Sequence, residues 1–338
     1  MKNLIHKLIL SAGLLLAAVV LGSCSKETPA ADPGDEPRST DRPIELRGMF
    51  GPEKESAGPE YKAADGEGPV DGGAQTTPAL TLWFARADET SSGVWGSYAS
   101  EQLYATRPAA AGDTPAALAF PDPQPCYLRG LKAKLTGWYP GGGASDSPKG
   151  YWNGTSVTWK MDGRHDIMTA SAQTGDVVSG LSAFVFMHRT AQLRFYVYAE
   201  TDKVAALWGN IIAIRVLSQA DACTYTPASG DETGAVAFTG SSASFTALSG
   251  NVRPTVTTNK GSVAQAGDAV MIAPQAGSYL LNLAVETEQQ GTVSVALPGR
   301  AYDEAGTYNI YLKLQAVDIT PAVDISDWGA VVEKDIEL

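Results

Sequence analysis

Side chains able to do chemistry are sparse in this chain of 338 residues, which holds three cysteines and three histidines. Beyond the N-terminal leader the histidines are His165 and His188. His165 stands in Asp162-Gly163-Arg164-His165-Asp166, whose carboxylates and imidazole have the atoms for metal binding or proton transfer. A zinc site draws on three or four ligands and supplies some as close pairs such as His-x-x-x-His. No such pair occurs, nor does the acidic loop of a calcium hand. Asp-Gly followed by charged residues is first of all a turn. His188 follows Phe184-Val185-Phe186-Met187 at the end of an apolar run, the setting of a packed, hydrogen-bonded histidine. No Ser or Cys is placed as a nucleophile beside a base, and no glycine-rich phosphate loop is present. Two carboxylates suffice for glycoside hydrolysis, but none here stands in a recognisable setting. The reading is of a protein with no catalytic residue, no metal and no cofactor.

Cys24 has a different context. Lys2 and Lys7 precede an apolar run from Leu8 to Leu21, too short to span a bilayer comfortably and suited to a signal peptide. The run ends in Leu21-Gly22-Ser23-Cys24, which resembles the lipobox of bacterial lipoproteins. That resemblance implies export, removal of residues 1–23, and a lipidated Cys24 that anchors the chain in a membrane; more than one acyl chain makes such an anchor stable. Cys126 and Cys223 remain. Outside the cytosol they can pair, but two small buried apolar residues is the favoured reading.

The formal net charge is −12, from 25 Lys+Arg against 37 Asp+Glu. That balance argues against nucleic acid, whose phosphates want a basic face. Hydrophobic residues make up 44% and charged residues 18%, enough apolar matter for real cores. At roughly 150 residues per domain the length suggests about two.

The elements that must position any site are nearly all strands. After a Pro/Asp/Glu-rich tether over 24–42 comes Pro43-Ile44-Glu45-Leu46-Arg47-Gly48-Met49-Phe50, with Ile44, Leu46 and Phe50 on one face of a first strand. Residues 51–78 read as a long loop. Strands are expected over 80–85, 98–104, 127–135, 135–139, 157–159, 183–187, 191–199, 211–217, 236–238, 244–248, 269–273, 279–286, 292–297, 308–317 and 322–328. The only helix candidate is Asp202 to Trp208, ending at Gly209. Short strands at this spacing, with turn residues between them, mean β-sandwiches.

Several blocks, taken in order, resemble the fimbrillin-like lipoproteins of Bacteroidales, the subunits of type V pili. They are Pro43-Ile44-Glu45-Leu46; Tyr127-Leu128-Arg129-Gly130 with Gly137-Trp138-Tyr139-Pro140 and Asp162 to Met168; Phe184 to Phe195 with Trp208 to Ile214; and Ile272-Ala273-Pro274-Gln275 with Glu304 to Ile310 and Ile325-Ser326-Asp327-Trp328. The resemblance implies an all-β protein of two tandem transthyretin-like β-sandwich domains, over 43–180 and 181–338. It implies a non-enzymatic subunit of surface fimbriae at the outer membrane. An Arg-specific protease would remove the first strand, and a strand from a neighbouring fimbrial subunit would take its place. A host or bacterial surface ligand is a further possible partner.

Arg47-Gly48 lies inside the first strand, so cutting there would release Ile44 and Leu46. Pro43 protects Arg42 from most trypsin-like cleavage, and a cut at Arg38-Ser39 would leave the strand in place. Arg47 is equally readable as a solvent-facing strand residue. At the far end Val332, Ile336 and Leu338 share one parity, while Glu333, Asp335 and Glu337 share the other. Such a segment can dock its apolar side into a groove and serve as the donated strand, although Lys334 falls on the apolar face and its stem would have to snorkel. The alternative is that the segment is the last strand of its own domain. A second function class also stands: a surface glycan-binding lipoprotein, for which the several Trp and many Tyr supply platforms. A sandwich-fold hydrolase is disfavoured for want of a site.

Overall fold

The computed structural model describes residues 42–50, 79–108, 115–128, 130–141, 150–229, 234–250 and 256–327. Ten strands lie in the first part of the chain. They are β1 (Leu46–Phe50), β2 (Leu80–Ser91), β3 (Val94–Trp95), β4 (Leu103–Arg107), β5 (Ala116–Leu118), β6 (Ala133–Trp138), β7 (Tyr151–Trp152), β8 (Val157–Lys160), β9 (Met168–Gly175) and β10 (Phe184–His188). The second part holds β11 (Ala191–Ala199), helix α1 (Asp202–Trp208), β12 (Ile211–Gln219), β13 (Ala222–Thr226), β14 (Ala235–Thr239), β15 (Ala243–Leu248) and β16 (Val270–Ile272). It continues with β17 (Gln275–Tyr279), β18 (Asn282–Thr287), β19 (Gly291–Ala296), β20 (Arg300–Tyr302), β21 (Gly306–Leu314) and β22 (Ile319–Asp327).

The all-β expectation holds. In the first lobe the strand order is β3-β2-β6-β9-β10-β1-β5, with β4 also paired to β2. Alternation decides which way each strand faces. Leu82 and Phe84 of β2 point into a core with Ile44, Leu46, Phe50, Leu118, Leu135, Phe184 and Phe186. The opposite face of the same sheet places Ala85 and Trp138 in a second, larger core. Phe84 and Phe184 meet edge to face, with centroids 5.2 Å apart. The chain just past β5 bonds back to β4 through Thr106 N to Ala119 O (2.8 Å) and Ala119 N to Thr106 O (2.9 Å), so that edge is tied off.

The second lobe packs the sheet β16-β11-β21-β22 on the sheet β15-β12-β18-β19. Leu193, Phe195, Ile214, Val216, Leu283, Val285, Ile310 and Leu312 fill the space between them. Sheet membership changes between His188, in the first lobe, and Ala191, in the second. The lobes are also joined by a sheet of order β14-β13-β8-β7, drawn from both halves of the chain.

Helix α1 matches the sequence reading at both ends. The Thr201 side chain accepts from Val204 N at its start, and Gly209 ends it with φ 69°. Three expected strands begin late or break. Over 127–135 the chain turns first, with Leu131 N bonded to Leu128 O and Gly130 at φ 67°, so the strand starts at Ala133. The 98–104 strand begins only at Leu103. The 279–286 strand divides because its first part pairs with β20 and its second with β12 and β19. The chain changes sheets at Leu280, which is exposed.

Candidate functional site

Strand β1 is short, but its surroundings are closed. It runs parallel to β10, with Gly48 opposite Phe184 and Phe50 opposite Phe186. It runs antiparallel to β5, with Leu46 opposite Leu118 and Gly48 opposite Ala116. Its two halves use these neighbours differently. The half before Arg47-Gly48 leans on β5 and on the segment that follows it, and the half after leans on β10.

The first half is held by main-chain and side-chain bonds from residues 124–127. Ile44 N donates to Pro125 O (2.8 Å) and Tyr127 N to Arg42 O (3.3 Å). The Gln124 Nε2 amide donates to Ile44 O (2.9 Å). Ile44 and Leu46 are 0% and 2% exposed, so their sockets are sealed. At the mouth, Arg42 Nη1 donates to Val177 O (2.6 Å) in the turn between β9 and β10. The Asp176 carboxylate caps that turn by accepting from Val178 N and Ser179 N, bonds that hold its pKa below the ordinary carboxylate value. Tyr127 lines the same pocket, and burial pushes its phenol up, opposed by nearby Arg42.

The second half is anchored by Phe50, edge-on to Phe186 with centroids 6.2 Å apart and beneath the Arg107 guanidinium at 4.5 Å. Gly48 sits tight against side chains from both neighbouring strands. A Cβ there would lie 3.1 Å from Leu118 Cδ1 and 3.4 Å from Phe186 Cε2. Between the halves, the exposed Arg47 side chain donates through Nη2 to Pro115 O at 3.3 Å. Arg47 and Gly48 thus lie at the junction of two differently supported half-strands. Cys24, Val332, Ile336 and Leu338 lie outside the described residues.

Each of the two histidines is paired with a nearby carboxylate. His165 Nδ1 meets Asp162 Oδ1 at 3.0 Å, and His188 Nδ1 meets the buried Asp166 at 2.8 Å. Burial raises the Asp162 pKa, but hydrogen bonds from His165 and from Arg164 N outweigh it and hold the carboxylate below its ordinary value. Among the described residues no group of three or more His, Cys, Asp and Glu is placed to hold a metal. Cys223 is a free buried thiol, so it makes no bridge to Cys126; burial pushes its pKa up to about 12.

An aromatic row that sequence reasoning did not assemble crosses the face of the first-lobe sheet that meets the larger core, and only its Tyr104 end is open. Tyr104 and Trp138 flank Trp83 across β4, β2 and β6, and Trp152 stacks on Trp138 with centroids 5.8 Å apart. Tyr104 is 50% exposed. Alternating parity along β2 was the available signal, but the strand partners were not.

Two β-sandwich lobes joined by a shared sheet, with the short strand β1 set between β5 and β10 in the first, define the class. No protein-family model matches the chain, and no curated protein matches its sequence. Solved structures do share the fold. A proposed cell adhesion protein from Bacteroides uniformis superposes with a TM-score of 0.53 at 14% identity, over 85% of this chain and 98% of that one. A second, from Bacteroides ovatus, gives 0.52 at 14% identity, over 87% and 99%. The tip fimbrial protein Mfa3 from Porphyromonas gingivalis aligns more loosely, at 0.37 and 10% identity over 75% and 95%. The fold implied by the fimbrillin-like resemblance is the one observed.

Proposed function

We propose that this protein is a structural subunit of surface fimbriae, exported as an outer-membrane lipoprotein through Cys24 and activated by proteolysis at Arg47-Gly48. A neighbouring subunit's strand then enters the place of residues 42–46. The observation that carries the reading is the division of β1. The residues before the scissile bond own two sealed aliphatic sockets and their own hydrogen-bonding wall, while the residues after it keep β10 and Phe186. Cutting at that point removes a separable plug and leaves an unpaired strand edge, which templates the addition of another strand. No catalytic role is assigned.

The test is treatment of the purified chain with trypsin or an Arg-specific protease. Wild-type protein is expected to begin at Gly48 and to form ladders on gels. Arg47→Gln is expected to stay monomeric, and ladders from that variant would refute the reading.

A second reading, surface glycan binding, is favoured by the half-open row Tyr104-Trp83 with Trp152, since sugar faces stack on aromatic rings. Tyr104→Ala with Trp83→Ala is expected to abolish retardation on polysaccharide affinity gels if that reading holds. Equal mobility of wild type with and without polysaccharide would remove it.

A further inference from the structure

A sheet edge presents main-chain N–H and C=O groups that can pair with another chain, and folded proteins blunt such edges with charge, proline, bulges or cover. Most edges of this fold are blunted. Strands β3 and β7 are two residues long. Strand β5 is tied back to β4 through Thr106 and Ala119. Strand β22 carries Pro321 and Asp324, and β19 lies against it. Strand β15 shifts register twice along β12. Strand β14, at one end of the sheet shared by the lobes, is different.

It reads Ala235-Val236-Ala237-Phe238-Thr239, and no charged residue or proline occurs from Gly234 to Leu248. Its pairing with β13 is unbroken over five positions. Thr239 O accepts from Asp221 N at 3.0 Å, so Thr239 turns its main chain toward β13. Alternation turns Ala237 and Ala235 the same way and leaves the N–H and C=O groups of Val236 and Phe238 on the outer side. Among the described residues no strand pairs with β14 on that side. Val236 and Phe238 are half-buried against the larger core, while Ala235, Ala237 and Thr239 are exposed.

We propose that β14 is a self-association edge, which pairs antiparallel with β14 of a second copy of this chain about a two-fold axis at Ala237. In that register Val236 faces Phe238 of the second copy, the two Ala237 methyls face each other, and Val236 and Phe238 exchange N–H···O bonds on both sides of the axis. The strand suits itself. Its central side chain is small enough to meet its own copy, and an aliphatic residue opposite an aromatic one is a favourable cross-strand pair. Charge selects the same occupant. The chain has a formal net charge of −12, and an uncharged strip is where two copies can meet without opposing like charges. The pairing joins two four-stranded shared sheets into one continuous sheet. Five residues a side is well below the roughly 20–30 of a stable interface, so single chains associate weakly. Copies held in line, as in a fimbria, add many such contacts. The edge itself depends neither on that reading nor on cleavage at Arg47.

The test uses the full chain in a Cys24→Ala background, which removes a competing thiol. Sedimentation from micromolar to near-millimolar concentration is expected to show reversible association. Val236→Pro removes an outward N–H and no bond to β13, and Ala237→Lys opposes two like charges at the axis. Each is expected to weaken association about tenfold or more, with the far-ultraviolet spectrum unchanged. Cross-linking reads the register. Facing Ala237 residues have Cα atoms about 4.5 Å apart, within reach of a disulfide. Ala237→Cys is therefore expected to give a covalent dimer on mild oxidation. Thr239→Cys is expected to give none, because its two copies lie roughly 13 Å apart along the strands. Equal cross-linking of both variants, or association that survives Val236→Pro and Ala237→Lys, overturns the assignment to β14. A background chain that stays monomeric throughout, with no dimer from Ala237→Cys, overturns the second copy as occupant.

Discussion

Leu46→Ala tests whether the first half of β1 is a plug held by its sockets. Leu46 is 2% exposed against Leu118, Phe184 and their neighbours, so truncation leaves a cavity in the core that the sealed wall cannot easily close. Such truncations cost about 2–5 kcal/mol. The cost falls on a half-strand held by few hydrogen bonds, so it raises the population in which residues 42–47 are detached. At about 1.4 kcal/mol per factor of ten, the open population rises about 30-fold or more. Cleavage of a transiently open segment follows that population when reclosing is fast. The Leu46→Ala chain is therefore expected to melt lower than wild type and to be cut at Arg47 about 30-fold or more faster under limiting protease. Glu45→Ala, at an exposed neighbouring position, is expected to change both by little. Unchanged cleavage at Arg47 in the Leu46→Ala chain, together with an unchanged melting temperature, would refute the plug. A lower melting temperature with unchanged cleavage would show that Arg47 is cut without strand release.

Cys24→Ala is expected to move the protein from the membrane to the soluble fraction of fractionated cells; full retention would dismiss the anchor. The Asp162 carboxylate has a folded pKa below its ordinary value of 3.8, so its contribution to stability is full above that value and is lost as pH falls through the lower folded one. Asp162→Asn is expected to be less stable than wild type near neutral pH, with the gap closing in strong acid; a gap that persists there contradicts the assignment. The Cys223 thiol, raised to about 12 by burial, is expected to ignore Ellman's reagent at pH about 8 until the chain is denatured, and fast labelling of the native chain at Cys223 would refute its burial.

What could be read from the sequence was what short-range physics controls. Helix α1 carries its own cap at Thr201 and its own stop at Gly209, so both ends were visible locally. Strand β1 announced itself by alternation, because Ile44, Leu46 and Phe50 share one face and Glu45 and Arg47 the other. The neighbours of β1 were not visible. Phe186 is paired with Phe50, and β5 with β1, across long stretches of chain, and no local pattern encodes a partner or a register. The break at Leu280 was hidden for the same reason, since an unbroken apolar run looks identical whether it stays in one sheet or passes between two. Of the groove, the two anchors and Arg47 were legible. Gln124, Pro125 and Tyr127, which form its wall, act mostly through main-chain geometry that composition does not record.

The sheet shared by the two lobes sets how the molecule responds to force. If the lobes met only at Arg189-Thr190, tension applied between β1 and β22 would pass through that single link, and the lobes could swing apart with little resistance. Instead β8 and β13 are paired over four positions, from Val157 opposite Tyr225 to Lys160 opposite Ala222, with Trp159 and Cys223 buried between them. Separating the lobes therefore requires breaking that ladder and exposing its core side chains together. A chain built this way resists opening at its waist, where strands from both halves share one sheet.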